Sequence, residues 1–186
     1  MAERVCPVWL GYLLVNPLRK LLESPDKILG PYVEPGMTVL EPGCAMGFFT
    51  LPLARMVGPS GRVVAVDLQE RMLDRLKHRA EKAGLEDRVE IRLCQGGSLG
   101  LDDLEGKVDF AAAIHLVHEV PDKERFFGEL RLALKPGAGL LMIEPKGHVS
   151  AAELERTTAL AQKAGFSRVK ELLNRGGRGA VFSRDN

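Results

Sequence analysis

Two acidic residues each come at the end of a short apolar run, and small residues follow the first of them directly. Glu41 follows residues 37–40, and Asp67 ends the β-branched run of residues 62–67. A carboxylate at position 67 is suited to accept two hydrogen bonds from the diol of a ribose. The backbone after Glu41 can approach a ligand closely because it contains Gly43, Ala45 and Gly47. Together these features predict a site for a nucleoside ligand.

The same glycine-rich segment departs from the dinucleotide-binding pattern. In Gly-x-Gly-x-x-Gly the third glycine allows a helix to pack closely on a strand, and Phe48 stands at that position here. A side chain of that size argues against a pyrophosphate site. A nucleotide-binding oxidoreductase on a similar sheet is therefore an alternative and not the leading hypothesis.

Two histidines follow the fourth apolar run of the chain. His115 and His118 come after residues 108–114, and Glu119 is the next residue. Histidine is a natural general base near neutral pH, so both histidines are candidate catalytic residues. The alternative is that His118 only packs in its loop or caps it. A metal site is not predicted, because these three residues lack a further strong ligand.

The elements that position these residues alternate between strands and helices. Amphipathic segments predict helices at residues 48–57, 68–83 and 123–134, and a further helix that Ser150 caps and that stops at Gly165. Seven apolar or β-branched segments predict strands, at residues 37–41, 62–67, 88–93, 108–114, 140–144, 167–173 and 180–183. The Lys-Pro-Gly segment of residues 135–137 is expected to turn into the fifth strand. We therefore expect an α/β fold with a Rossmann-like, doubly wound, seven-stranded sheet. The sheet should be mostly parallel with an antiparallel last strand, and helices should cover both faces. Ligands bind at the carboxyl ends of the strands in such sheets.

The composition narrows the classes of partner and location. The 186 residues are 45% hydrophobic and 27% charged, and the formal net charge is +1. These values are typical of a soluble globular domain, and they predict no bulk attraction to nucleic acid or to an anionic membrane. Three widely spaced cysteines predict neither a disulfide framework nor structural zinc, and they favour a reducing, cytoplasmic location. Stable membrane insertion is not expected, because the apolar runs are short.

One domain is expected over residues 25–186, and residues 1–24 are expected to form an N-terminal arm or lid packed on it. The arm contains Trp9 and Tyr12, which are suited to shape a substrate pocket. The chain has no large insertion that would clamp a protein or a nucleic acid. We therefore expect a small-molecule substrate, no nucleic-acid partner, and a monomer or homodimer.

Several partial motifs, in this order, resemble those of class I S-adenosylmethionine-dependent methyltransferases. The segment from Glu41 to Gly47, an acid followed by alternating small residues, is similar to their first motif. Residues 113–122 and 135–139 resemble the branch that includes the quinone-biosynthesis methyltransferases. The resemblance covers residues 25–183 and implies an enzyme that transfers a methyl group from S-adenosylmethionine to a small molecule. A non-catalytic scaffold with the same fold is a further alternative.

The resemblance also implies which residues contact the cofactor. The loop would wrap its methionine part, and Glu41 would help to hold its ammonium group. Gln95 would offer an amide oxygen to the adenine amino group, and the backbone carbonyl of His115 would contact the amine. The predicted cofactor-binding residues are Glu41, Gly43, Cys44, Ala45, Gly47, Asp67, Leu68, Gln95, Gly96 and His115. The fold does not identify the acceptor or the atom that is methylated.

Overall fold

The computed structural model of the protein describes residues 23–95, 97–145, 147–173 and 177–186. The chain divides into two compact units, Met1–Cys94 and Gln95–Asn186. Nearly all of the predicted arm over residues 1–24, and Gly96 among the predicted cofactor contacts, lie outside the described residues. Each unit is described separately below.

The first unit consists of parallel strands with helices between them. Its described elements are α1 (Pro25–Leu29), β1 (Thr38–Pro42), α2 (Thr50–Met56), β2 (Arg62–Asp67), α3 (Glu70–Ala83) and β3 (Val89–Leu93). The strands are ordered β3-β2-β1, and both neighbouring pairs are parallel. In both β1 and β2, every residue after the first is buried. Because the carboxyl ends of parallel strands lie at one edge, Glu41 and Asp67 reach the same edge of this unit.

Helix α3 forms where the sequence pattern predicts it. Its buried residues recur at helical spacing, so that one face of the helix is apolar: Met72, Leu73, Leu76 and Ala80. Gly84 ends the helix in the left-handed conformation, with φ of 62°. Glycine adopts this conformation without the steric cost that other residues meet, which explains why the helix stops there.

The second unit combines one parallel pair of strands with an antiparallel group. Its described elements are β4 (Val108–Ile114), α4 (Lys123–Ala133), β5 (Leu134–Pro145), α5 (Ala151–Lys163), β6 (Phe166–Leu173) and β7 (Gly177–Arg184). The strands are ordered β4-β5-β7-β6, with β7 antiparallel to both neighbours. Ser150 caps α5, because its hydroxyl oxygen accepts a hydrogen bond of 3.1 Å from the Glu153 backbone N–H. The predicted cap at this position is therefore present.

Two elements differ in length from their prediction. The helix expected from Phe48 begins only at Thr50, so residues 43–49 form an extended turn before it. Strand β5 begins at Leu134 rather than Leu140, and it includes the Lys-Pro-Gly segment that was expected to turn. The register between β4 and β5 shifts beside that segment. The turn residues therefore form an irregularity within the strand, because a bulge accommodates glycine and proline where a regular ladder does not.

The predicted fold class is confirmed. The described residues contribute seven strands to a mixed sheet that is mostly parallel, with an antiparallel last strand, as in Rossmann-like folds. Among these residues, no helix has the length and apolar character needed to cross a bilayer.

The antiparallel pairing of β5 with β7 predicts a strong effect on stability at Gly179. A Cβ atom at this position would collide with the Met142 carbonyl oxygen and would lie 2.9 Å from the Ile143 Cα. Because both neighbours belong to the backbone of a central strand, Gly179→Ala should lower the free energy of unfolding by about 1–3 kcal/mol.

Gly128→Ala is the matched control. A Cβ atom at position 128, in α4, would meet open space, so this change should stabilise the helix by about 0.5–1 kcal/mol. Urea unfolding of both variants tests this, and equal effects would contradict it.

Candidate active site

The loop after β1 has an unusual backbone conformation. Gly43, Ala45 and Gly47 all have positive φ, at 71°, 46° and 81°. Left-handed backbone is accessible to glycine but uncommon for alanine, so the conformation at Ala45 must be held by its surroundings. Alternating left-handed residues turn successive backbone groups toward one side, which is how a loop of this kind surrounds a small ligand.

The end of strand β2 holds this loop in place. The backbone N–H groups of Gly43 and Cys44 donate to the Val66 carbonyl oxygen at 2.7 and 3.1 Å. The Ala45 N–H donates to Asp67 Oδ2 at 2.8 Å. The carboxylate that was expected to bind a ribose thus also fixes the strained residue of the loop. Each carboxylate oxygen can accept more than one hydrogen bond, so this contact leaves Asp67 capacity for a ligand.

Helix α3 supports the loop from another side. Arg79 donates a hydrogen bond from its guanidinium to the Met46 carbonyl oxygen, and partial burial lowers the pKa of Arg79 from its usual value. A side chain at Gly47 would collide with Leu76 Cδ1 of the same helix. Arg79 was not predicted as part of the site. It is one of several basic residues on an amphipathic helix, so the sequence carries no signal that separates it from the others.

Glu41 is buried behind the loop with an unsatisfied oxygen. Its side chain is 4% exposed, and Oε2 has no hydrogen-bond partner among the described residues. Burial raises the pKa of Glu41 from 4.5 to about 8; the nearby Thr50 hydroxyl opposes this rise, and the charge of Asp67 adds to it. A buried carboxyl that lacks a partner is costly unless a ligand completes it. A cationic N–H donor would satisfy Oε2 and lower the pKa.

Asp67 occupies the carboxyl end of β2 in a partly desolvated position. It is 7% exposed, and Oδ1 accepts a hydrogen bond of 2.9 Å from the Gln69 backbone N–H. Burial raises the pKa of Asp67, and the backbone N–H groups of Gln69, Ala45 and Leu68 partly offset that rise. The Leu68 side chain beside it is 52% exposed. An acceptor and an exposed apolar side chain therefore stand next to each other at this strand end.

Cys44 lies in the loop as a buried thiol. It is 3% exposed, and its pKa is raised well above the usual value, first by burial and then by the charges of Glu41 and Asp67. The thiolate is the nucleophilic form of cysteine, so a thiol held neutral is unreactive. Its burial favours the interpretation of Cys44 as a small residue that fits a tight turn, and its predicted contact with the cofactor stays a prediction.

The predicted cofactor contacts of the second unit lie in turns. Gln95 forms an isolated antiparallel bridge with Ser98, and its side chain is exposed. His115 follows β4 with φ of 58°, and its backbone N–H donates to the Ile143 carbonyl oxygen at 2.6 Å. Among the described residues, His115 and Ala45 are the two non-glycine residues with positive φ. Strained backbone of this kind is concentrated at functional sites, and both residues belong to the predicted cofactor-binding set.

His118 is held at two atoms by one buried carboxylate. Its ring nitrogen Nδ1 lies 2.6 Å from Glu144 Oε2, and its backbone N–H donates to Glu144 Oε1 at 3.0 Å. The Glu144 side chain is 2% exposed, whereas the His118 side chain is 21% exposed. His118 follows β4 and Glu144 lies near the end of β5, so the pair lies where two parallel strands end.

The surroundings of His118 favour its protonated form. The hydrogen bond to Glu144 raises the pKa of His118, burial opposes the rise, the charges of Glu144 and Glu119 add to it, and Lys123 opposes it. Glu119 Oε1 lies 3.8 Å from Nε2. The ring of exposed His148 lies 6.1 Å from the His118 ring, centroid to centroid.

Glu144 was not predicted as a site residue, although the sequence carried a signal for it. It directly follows a run of buried apolar residues at the carboxyl end of its strand, as Glu41 and Asp67 do. An acid at the end of an apolar run was the reason to predict Glu41 and Asp67 as site residues, and it applies equally to Glu144. Glu144 was overlooked because no glycine-rich segment or ribose-binding pattern accompanies it. Within residues 23–95, 97–145, 147–173 and 177–186, no group of three potential ligands is placed to hold a metal ion.

The comparison with known families decides the class of protein. A family profile described as a methyltransferase domain matches residues 33–177 of the chain. The chain belongs to this family. The predicted class of enzyme and the predicted cofactor, S-adenosylmethionine, are thereby confirmed at the level of the family.

Individual relatives agree with this assignment. A crystal structure of an S-adenosylmethionine-dependent methyltransferase from Aquifex aeolicus is 26% identical, with a TM-score of 0.86 over 96% of this chain and 99% of that one. A demethylmenaquinone methyltransferase from Lactococcus lactis is 30% identical over 59% of this chain and 42% of its own length. An arsenite methyltransferase from Halobacterium salinarum is 34% identical over 55% of this chain and 26% of its own length. The chain thus spans less than half the length of these two curated relatives.

The residues of the first unit fit this cofactor. S-adenosylmethionine carries an ammonium group, and the partnerless Oε2 of buried Glu41 is an acceptor for such a donor. The left-handed loop beside it has only small side chains at Gly43, Ala45 and Gly47. The exact contacts of the predicted residues with the cofactor stay predictions.

Proposed function

We propose that this chain transfers a methyl group from S-adenosylmethionine to a small-molecule acceptor. The observation that carries the proposal is the loop of residues 43–47, held in a left-handed conformation by Asp67 in front of a buried carboxyl, Glu41, that lacks a partner. Such an arrangement stabilises the free protein poorly, which is expected where a ligand completes the site. Membership of the methyltransferase family supports the same conclusion.

Each predicted residue has a role in this proposal. Glu41 binds the ammonium group, the loop from Gly43 to Gly47 surrounds the methionine part, and Asp67 binds the ribose diol. Leu68 packs on the base, Gln95 meets its amino group, and His115 contributes its backbone carbonyl. Gly96, which follows Gln95 in the sequence, belongs to the same predicted contact with the base. The exposed position of Leu68 supports its role, because a flat apolar ring would cover a side chain that is otherwise half in water.

The bound cofactor supplies a methyl group on a sulfonium, which leaves readily because sulfur becomes neutral. The protein must therefore align the acceptor and keep its lone pair available. Relatives named demethylmenaquinone and arsenite methyltransferases support a small acceptor. A cytoplasmic location, the absence of a nucleic-acid partner, a monomer or homodimer, and an arm or lid over residues 1–24 belong to the same proposal and rest on the sequence.

Calorimetric titration of the protein with S-adenosylmethionine, S-adenosylhomocysteine and NAD⁺ tests the proposal. Binding of the two sulfur compounds without binding of NAD⁺ is the expected result. Binding of NAD⁺ alone would favour the oxidoreductase alternative. Binding of none of the three would favour a scaffold that keeps the fold without its chemistry.

Substitution of Asp67 should weaken cofactor binding. Asp67→Ala removes the acceptor for the ribose and frees the Ala45 N–H, so the loss should be about 1.5–3 kcal/mol, or roughly tenfold to a hundredfold in Kd for S-adenosylhomocysteine. Asp74→Ala, at an exposed position of α3, is the control and should leave Kd unchanged. An unchanged Kd in both variants would remove Asp67 from the site.

A further inference from the structure

His118 makes more hydrogen bonds to Glu144 than the packing of a loop requires. One carboxylate binds both the ring and the backbone of the same histidine, at 2.6 and 3.0 Å. The ring is therefore fixed in position and in rotation. Capping the loop would need only the backbone contact, because the ring contact satisfies no backbone group.

The contact with Glu144 also determines which ring nitrogen is available. An ionised carboxylate only accepts hydrogen bonds, so Nδ1 carries the proton and donates it to Oε2. In neutral His118 the lone pair is then on Nε2. A carboxylate that fixes the tautomer of a histidine and stabilises its protonated form is the arrangement found behind histidine bases in unrelated enzymes. Glu144 is 2% exposed, whereas His118 is 21% exposed, so the carboxylate is shielded and the ring is accessible.

The location of the pair agrees with a role in catalysis. His118 lies in the turn that follows β4, four residues after the strand ends at Ile114, and Glu144 lies near the end of the parallel neighbour β5. In open α/β sheets, ligands bind beyond the carboxyl ends of the strands. The strained backbone at His115 marks the same strand end.

We propose that His118 is the general base for the methyl acceptor, with Glu144 as its positioning residue, and that the acceptor reacts through a weakly acidic hydroxyl group, phenolic or enolic. This rests on the proposed function. Nε2 takes the proton of the hydroxyl group, and the oxygen uses the electron pair released from the O–H bond to bond the methyl carbon. The methyl–sulfur bond breaks, and its electron pair goes to sulfur. The imidazolium then releases its proton to water.

The class of acceptor follows from the need for a base. An acceptor whose reacting atom has a lone pair and carries no proton, such as the sulfur of a thioether or the arsenic of arsenite, gains nothing from a positioned histidine. A phenolic or enolic hydroxyl ionises too little near neutral pH to react quickly without one. The groups that face His118 are Glu144 from β5, Glu119 from its own turn, Lys123 from α4 and His148 after β5.

A Glu144→Gln variant tests the positioning role. The amide retains the size of the side chain, and its oxygen can still accept from the His118 backbone N–H. Its NH₂ group donates to Nδ1, which favours the tautomer with the proton on Nε2 and leaves only a small fraction of His118 with Nε2 free to act as the base. We expect kcat with the best hydroxyl acceptor to fall about 10- to 100-fold, with Kd for S-adenosylhomocysteine unchanged. Glu81→Gln is the matched control, since Glu81 lies 3.9 Å from exposed His78 in a surface pair.

The pH profile separates this role from a structural one. Because Glu144 raises the pKa of His118, wild-type kcat should fall as the pH decreases through that raised pKa, and the fall should move to lower pH in the variant. An NMR measurement of the His118 ring nitrogens should find the Nδ1–H tautomer. This measurement uses the wild-type protein, so it does not depend on whether a variant folds. An Nε2–H tautomer, or an unchanged kcat and profile in Glu144→Gln, would overturn the proposal.

The acceptor class is tested with catechol, 1,4-dihydroxynaphthalene and 4-hydroxybenzoate against arsenite and dimethyl sulfide, with release of S-adenosylhomocysteine as the measurement. Methylation of at least one hydroxyl compound is expected. If none is methylated by protein that binds S-adenosylhomocysteine, the acceptor class is wrong. If S-adenosylhomocysteine does not bind at all, the proposed function itself fails, and the two failures are therefore distinguishable.

Discussion

Replacement of Glu41 by glutamine is expected to stabilise the free protein at pH 8 and to weaken its binding of S-adenosylhomocysteine. Folding raises the pKa of Glu41 from 4.5 to about 8, mainly because the carboxyl is buried. The folded state therefore binds a proton that the unfolded state has lost over this interval. Each pH unit between the two values costs the wild type about 1.4 kcal/mol of stability.

The raised pKa of Glu41 makes the wild type less stable as the pH rises. The wild type has its full stability below pH 4.5 and loses it as the pH rises toward 8. Glutamine cannot ionise, so Glu41→Gln should match the wild type at low pH and exceed it by about 3–5 kcal/mol at pH 8. Urea unfolding at several pH values measures the difference. Exposed Glu81→Gln should show no such growing gap, and a Glu41→Gln variant that behaves like this control would show that Glu41 ionises normally.

The same substitution should weaken ligand binding, because it removes a charge. The ammonium group would meet a neutral amide oxygen instead of a carboxylate, and charge-assisted hydrogen bonds are roughly twice as strong as neutral ones. We expect Kd for S-adenosylhomocysteine to rise at least about tenfold. Binding to the wild type at pH 7 should also release a proton, since the cation lowers the pKa of Glu41. Calorimetry in buffers with different ionisation enthalpies measures this release, and no release would contradict the role of Glu41 as the ammonium acceptor.

The features that the sequence predicts well depend on local rules. Glycines with positive φ, such as Gly43 and Gly84, occupy positions that other residues rarely adopt, so their spacing alone indicates a tight loop or the end of a helix. Asp67 ends a run of buried β-branched residues, and that pattern places it at the edge of the sheet. The strands, the cap at Ser150 and the acids of the first unit follow from such rules.

The features that the sequence does not predict depend on contacts between distant segments. Arg79 joins the loop through a contact across 33 residues, and Glu144 binds His118 across 26 residues. No sequence motif predicts contacts between residues that are this far apart in the chain. The length of β5 was underestimated for a related reason. The proline and glycine near its start indicate a turn, and only the pairing of residues on either side of them, Leu134 with Val108 and Gly139 with Phe110, places them within a strand.

Replacement of His118 by asparagine is expected to cause the largest loss of activity. The asparagine amide can occupy the position of Nδ1 and donate to Glu144 Oε2, so the buried carboxylate keeps a partner. The atom that is lost is Nε2, the proposed base. With a hydroxyl acceptor, kcat should fall by about 10²–10⁴, which is the usual contribution of general base catalysis. Kd for S-adenosylhomocysteine should stay within about twofold, and the acidic limb of the pH profile should disappear.

Added imidazole separates the loss of a base from a change in shape. The asparagine is shorter than histidine, so it leaves room near the position of Nε2. The rate of the His118→Asn variant should therefore rise with the concentration of neutral imidazole, while the wild type and a His78→Asn control at an exposed position should not respond. A variant that loses activity without any response to imidazole, and that keeps the wild-type pH profile, would assign His118 to the structure of the loop. Restored activity that follows the neutral fraction of imidazole as the pH changes would instead show that the missing group acts on a proton, because filling the space left by the ring would not require the basic form.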